Sequence, residues 1–254
     1  MDPEQIKITW QGEVVSVQPR STVWRYLTDN RTHRECGFNI FLKGTVQTHD
    51  IGMTERKRKQ ESGQYDFCVA ISEKQEQKLQ IRIGDLLKGT GWTKKYPEIE
   101  FADYYRAGSL TKVEAVEGSG SPVPIVTVDT KHTRYDGTPI PRVNCAEYAG
   151  PPWKMVVPPL DIYAWRGERL LSKSCWKGKC FQCIWANMAK VAVQYDFDRN
   201  IVKCRFETFC YGPLSCKYYK RGPARAVPYK GMSGVKDDGC LDEICTEYRD
   251  SRDE

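Results

Sequence analysis

Eight of the eleven cysteines in this 254-residue chain fall between 175 and 245, and two clusters among them have the spacing of metal ligands. The first is Cys180-Phe-Gln-Cys183; the second is Cys210-Tyr-Gly-Pro-Leu-Ser-Cys216. A thiolate is a soft anionic donor, and four of them around one tetrahedral ion make a closed site with no open position for a substrate. Zinc suits such a set, and the same four thiolates also suit a [4Fe–4S] cluster, whose ligand spacing is looser. The expectation is one metal centre on Cys180, Cys183, Cys210 and Cys216, with Zn2+ first and [4Fe–4S] as the alternative.

The clusters need an element that brings them together. After Cys183, "VAVQYDF" reads as a strand, "DRN" as a tight polar turn, and "IVKCRFETF" as a second strand. A hairpin returns its second strand to where the first began, so the cysteines at its entrance meet those at its exit. Two short cysteine clusters joined by a hairpin resemble a zinc ribbon. The second pair departs from that pattern, being C-x5-C rather than C-x2-C, and relies on the Gly212-Pro213 turn to curl Cys216 back. No histidine follows His132, so mixed cysteine–histidine ligation within this region is excluded. Cys175 extends the first cluster to C-x4-C-x2-C, a spacing also found in plant-type [2Fe–2S] proteins, although the rest of that fold is absent. Cys204 reads as a buried strand residue; Cys240 and Cys245, with Cys175 and one more thiol, are candidates for a second site; Cys36, Cys68 and Cys145 read as ordinary buried thiols.

Next to the last ligand, "CKYYKRGPARAVPYKG" interleaves Lys217, Lys220, Arg221, Arg225 and Lys230 with Tyr218, Tyr219 and Tyr229. Rings stack on unpaired bases while Lys and Arg neutralise phosphates. The formal charge is +6 over the whole chain, but it is unevenly placed. From Lys173 to Met232 there are twelve Lys/Arg against three Asp/Glu; from Ser233 to Glu254 there are three against eight. A basic block followed by an acidic tail points to a polyanion as the partner of the block.

The first half of the chain is strand-like. "GFNIFLKGTV" alternates, with Phe38, Ile40 and Leu42 on one face and Asn39, Phe41 and Lys43 on the other. "YDFCVAI" repeats the alternation, "KLQIRIGDLLKGTGW" reads as another strand with Leu79, Ile81 and Ile83 on one face, and "GSLTKVEAV" supplies a last one. "THDIGMTERKRKQESGQ" is a polar loop, and "EGSGSPVP" at 117–124 is a linker. Beyond the linker, "IVTVDT" reads as a strand, and "YDGTPIPRV" and "YAGPPWKMVVPPLDIYAW" read as extended, proline-punctuated segments.

The strand order and the turn in "IRIGDLLKGTGW" resemble an OB-fold over roughly residues 8 to 116. That resemblance implies single-stranded nucleic acid lying across strands two and three and held by the loops. Residues of the right type are Phe41 with Lys43, Arg58 in the basic loop, and Trp92 with Lys94 and Lys95. The fold class expected is mostly β: a small OB-like barrel (1–116), an extended Pro-rich segment (117–170) and a four-cysteine metal-binding hairpin module with an acidic tail (171–254).

Catalytic signatures are missing: no phosphate-binding glycine loop, no H-E-x-x-H, no G-x-S-x-G. Asp129, His132 and Asp136 read as an ordinary polar loop. There is no apolar run of membrane-spanning length and no basic n-region before an apolar stretch, so a reducing cytoplasm is the compartment expected. The function expected is non-catalytic binding of nucleic acid, single-stranded, around a structural metal site. The alternatives are an iron–sulfur protein in redox or sensing and an adaptor for a protein partner.

Overall fold

The computed structural model describes residues 5–25, 32–48, 64–115, 126–133, 137–143, 150–196, 199, 201–222, 225–227 and 235–237. Within them the chain is mostly β. Five strands form a closed ring: β1 (Lys7–Arg25), β2 (Thr32–Thr48), β3 (Phe67–Ile71), β4 (Leu86–Thr93) and β5 (Tyr104–Glu114). β1 pairs with both β2 and β4, β2 with β3, β4 with β5, and β3 closes the ring on β5 in parallel at Val69 and Tyr104. Helix α1 (Glu73–Leu79) crosses between β3 and β4.

The alternation in β2 is real, and from Phe38 to Leu42 both of its faces are buried. Phe38, Ile40 and Leu42 pair with Ile71, Val69 and Phe67, and these six side chains fill the ring, where Phe67 meets the fully buried Trp10 edge-on. Two glycines let the backbones close. Gly37 takes φ +116°, and a Cβ there would stand 2.2 Å from the Ile71 carbonyl oxygen; one on Gly44 would stand 2.1 Å from that of Gln11.

The stretch from Leu79 to Asp85 differs from the sequence reading. Leu79 ends a helix, and Ile81 to Asp85 form a turn before β4 begins at Leu86. The cause is local: Ser72 and Gln75 form a capping box that starts α1. The Asp85 carboxylate then accepts from the Arg82 N–H at 2.7 Å and holds the turn.

After the hairpin of β6 (Val126–Thr133) and β7 (Pro139–Val143), the chain reaches α2 (Leu160–Arg166), within a segment expected to be wholly extended. Pro158 and Pro159 lie just before the helix, where a missing N–H costs nothing. Then come β8 (Arg169–Leu170), α3 (Lys173–Lys177), a single 3-10 turn (Lys179–Gln182), and the expected hairpin of β9 (Ala186–Asp196) and β10 (Ile201–Cys210). Two short strands, β11 (Arg225–Val227) and β12 (Val235–Asp237), pair with each other.

The hairpin extends the sheet of the ring. β1 shifts register between Val14 and Ser16 and again between Pro19 and Ser21. Such bulges bend a strand, and the last residues of β1, Thr22 to Arg25, run parallel to Lys190–Val193 of β9. The sheet order is therefore β2-β3-β5-β4-β1-β9-β10-β8. No helix among the described residues is long and apolar enough to cross a membrane.

Candidate metal centre and basic surface

The hairpin pairs Cys210 with Ala186, three residues after Cys183, so the two cysteine clusters share one corner. Cys180 lies on the 3-10 turn and Cys183 at its end, where the Cys183 N–H donates to the Cys180 carbonyl at 3.0 Å. Cys216 follows the Gly212-Pro213 turn, and its N–H donates to the Pro213 carbonyl at 3.3 Å. Burial, and after it the nearness of Cys210, Cys175 and Cys216, pushes the Cys180 thiol up to about 12. Cys183 is raised well above the ordinary thiol range by burial and then by Cys210, and Cys216 is raised by burial first as well. The four expected ligands are thus near enough for their charges to act on one another, and Cys175 is near enough to act on Cys180. All five are free thiols.

Backbone N–H groups point at these sulfurs. The Gly212 N–H donates to Cys210 Sγ at 3.3 Å; backbone hydrogen bonds from Trp185 and Trp153 draw the Cys183 thiol down, and those from Tyr218 and Tyr219 the Cys216 thiol, against the larger effect of burial, while the Tyr219 N–H donates to the Cys216 carbonyl at 3.0 Å. In each case one donor sits two residues after the cysteine. Such bonds favour the thiolate, the form that binds metal, so the donor chemistry fits a thiolate-bound ion. Among the described residues, no group of three or more His, Cys, Asp or Glu side chains already stands in the arrangement that holds a metal. Cys204, expected to be buried, is half-buried because the first half of β10 is exposed. Cys145, Cys240 and Cys245 lie outside the described residues.

The corner also contains a cation that sequence reasoning missed. The Arg169 guanidinium donates to the carbonyls of Gly212 (2.9 Å) and Pro213 (2.8 Å) and lies 3.9 Å from Cys210 Sγ. It covers the Tyr219 ring at 4.1 Å. No local pattern marks Arg169, because its partners lie some forty residues later.

The residues expected to bind nucleic acid fall into three groups. Phe41 corrects the sequence reading. Its ring is 0% exposed, wedged between Phe181 (5.0 Å), Tyr65 (4.9 Å), Phe101 and Trp176. The outer face of β1 and β2 is covered there by α3 and the 3-10 turn. Ser16 Oγ and Gln18 Nε2 both donate to the Phe181 carbonyl, at 2.5 and 2.6 Å, and Trp176 Nε1 donates to Gln18 at 3.0 Å. A base cannot stack on Phe41 while those contacts stand.

In the second group, the ring surface, Lys43 is exposed and Trp92 is half-buried in β4. Lys94 is engaged with Asp103 at 3.8 Å, and Lys95 lies over the Tyr96 ring at 5.1 Å. Arg58 lies outside the described residues.

The third group surrounds the thiols. Lys217, Lys220 and Arg221 are exposed, and the Lys217 ammonium is 5.4 Å from the Tyr218 ring. Tyr219 is taken up by packing, its hydroxyl donating to the Leu170 carbonyl at 2.8 Å beneath Arg169. The Ser172 N–H donates to the Lys220 carbonyl, and Arg221 bridges to Leu171, which brings this segment beside α3 with its exposed Lys173 and Lys177. Between Glu168 and Asp196, and again between Glu207 and Asp237, the sequence holds no Asp or Glu at all.

A separate polar knot lies where β2 meets Glu168 and the end of the hairpin. His33 stands 3.1 Å from both Glu35 and Glu168, and 2.9 Å from the Tyr211 hydroxyl. Burial alone would lower the His33 pKa, but the two carboxylates outweigh it and hold the imidazole up at about 9.

Family models, curated proteins and solved structures give no match to this chain.

Proposed function

We propose that this chain binds single-stranded nucleic acid without catalysis, using an OB-like five-stranded barrel and a basic surface braced by a metal on Cys180, Cys183, Cys210 and Cys216. The observation that carries the reading is the pair of acid-free sequence stretches that bear the thiols, where Lys173, Lys177, Lys217, Lys220 and Arg221 are exposed. Fixed cations with no carboxylate among them in sequence attract phosphates, and the attraction weakens as salt rises. Zinc on four thiolates supplies a cross-link and no open coordination position. The chain's own part is to aim backbone N–H groups at the sulfurs and to hold the lysine-bearing segments beside them.

The surface carrying the reading differs from the one the OB resemblance implies, because Phe41 and its neighbourhood are covered. Lys43, Trp92, Lys94 and Lys95 are then a secondary contact, and Tyr218 is the ring best placed to stack. The nearness of Cys175 to Cys180 favours a second reading, in which the same corner takes an iron–sulfur cluster.

The test is binding of a labelled single-stranded oligonucleotide across a salt series. The triple variant K217A/K220A/R221A is expected to lower the slope of log affinity against log salt by about 2, from three phosphate contacts at roughly 0.7 each. An unchanged slope, or binding that survives high salt, refutes the reading and favours a protein partner. Elemental analysis of protein purified without oxygen separates zinc from iron.

A further inference from the structure

We infer that Arg169 is the internal counter-ion of the thiolate centre, an assignment that rests on the four-cysteine reading above. Arg169 is 7% exposed, and its guanidinium carries a permanent charge. Its hydrogen bonds go to two neutral carbonyls and its face lies on an aromatic ring. Among the described residues no carboxylate forms an ion pair with it, and its Nε has no hydrogen-bond acceptor. An unpaired charge held out of water is costly, and proteins tolerate it where an opposite charge completes the pair.

The nearest candidate for that opposite charge is sulfur, since Cys210 Sγ lies 3.9 Å away. Zn2+ with four thiolates leaves a net charge of about −2 on the centre. The arginine and the tetrathiolate therefore complete each other: each is an expensive buried charge alone, and together they offset. The geometry adds a second role. By holding the Gly212 and Pro213 carbonyls, Arg169 sets the turn whose Gly212 N–H donates to Cys210. Arg169 is thus a positioning residue, and it acts on the metal through the sulfur.

The experiment compares full-length wild type, R169M and R169K by competition for Zn2+ with a colorimetric chelator at fixed pH and salt, alongside urea unfolding with and without Zn2+. R169M is expected to bind Zn2+ about 10–100-fold more weakly. R169K keeps the charge and is expected to lose about tenfold or less. The distinguishing readout is stability without metal. Stripped of Zn2+, R169M should be at least as stable as stripped wild type, because it no longer buries an unpaired cation, whereas with Zn2+ it should be the less stable of the two.

An unchanged Zn2+ affinity in R169M overturns the inference. So does an equal loss of stability with and without the metal, or failure to fold in both conditions, since each would make the arginine purely structural. R169K binding as weakly as R169M overturns the charge argument. A wild-type chain that takes up no Zn2+ removes the four-cysteine reading itself, and this one with it.

Discussion

The ring and the cysteine corner share one continuous sheet and one apolar cluster, but the corner also buries a set of thiols and a guanidinium. Inside the ring the side chains of Trp10, Phe38, Ile40, Leu42, Phe67 and Val69 are buried and apolar, and strand pairing satisfies the backbone on every side. Burial of that kind is worth about 25 cal/mol per Å2 and needs no ligand. The corner is made of turns and two elements of five and four residues. Its thiols and the Arg169 guanidinium are buried beside Trp176, Phe181, Ile184, Trp185 and Tyr211, which belong to the same apolar cluster as the ring. The lesson is that one sheet can carry a region filled by hydrocarbon beside a region that buries sulfur and charge as well.

The largest effect expected is on the corner alone. Metal removal by chelator, or Cys183→Ser, should cost the corner a cross-link of about 10 kcal/mol by analogy with structural zinc sites. Near-ultraviolet dichroism from Trp176 and Trp185 should collapse while the far-ultraviolet strand signal survives. A chelated protein that melts like the untreated one would erase the contrast between the two regions. The next effect tests the seam. Phe41→Ala should destabilise the fold by about 3–5 kcal/mol, and oligonucleotide binding per folded molecule should stay unchanged. The opposite pattern, intact stability with lost binding, would make Phe41 a stacking platform after all.

The smallest effect concerns the His33 knot that joins the regions. Its folded pKa of about 9 lies above the ordinary value of 6.5. The ion pairs with Glu35 and Glu168 therefore contribute fully below about 6.5, and that contribution is lost as pH rises through about 9. Melting temperature should fall by about 5 °C across that window in wild type, and stay flatter in His33→Gln. Equal slopes in the two chains would show that the knot contributes nothing to holding the regions together.

What the sequence made legible was local. The β9–β10 hairpin was readable because alternation and a polar turn sit within twenty-odd residues, and the meeting of the two cysteine clusters follows from that hairpin. Helix α1 was readable in principle, since Ser72 and Gln75 spell a capping box, but the apolar alternation at 79–83 pointed to a strand. Phe41 shows where reading along the chain stops. Alternation separates two faces of a strand without saying what covers the second, and here the cover comes from Trp176 and Phe181, at least 135 positions away. Arg169 is the same problem for charge. Only folding brings it to Cys210, and a single arginine before two leucines carries no signature of that meeting.

The long first strand has a consequence for how the molecule is made. Thr22 to Arg25 find their second neighbour only in Lys190 to Val193, so on a ribosome that edge waits while more than 160 further residues are synthesised. The ring can close in the meantime, but one flank of β1 stays open to any passing strand, which is the geometry that seeds aggregation. Chains halted between the ring and the hairpin should therefore be the ones that need a chaperone.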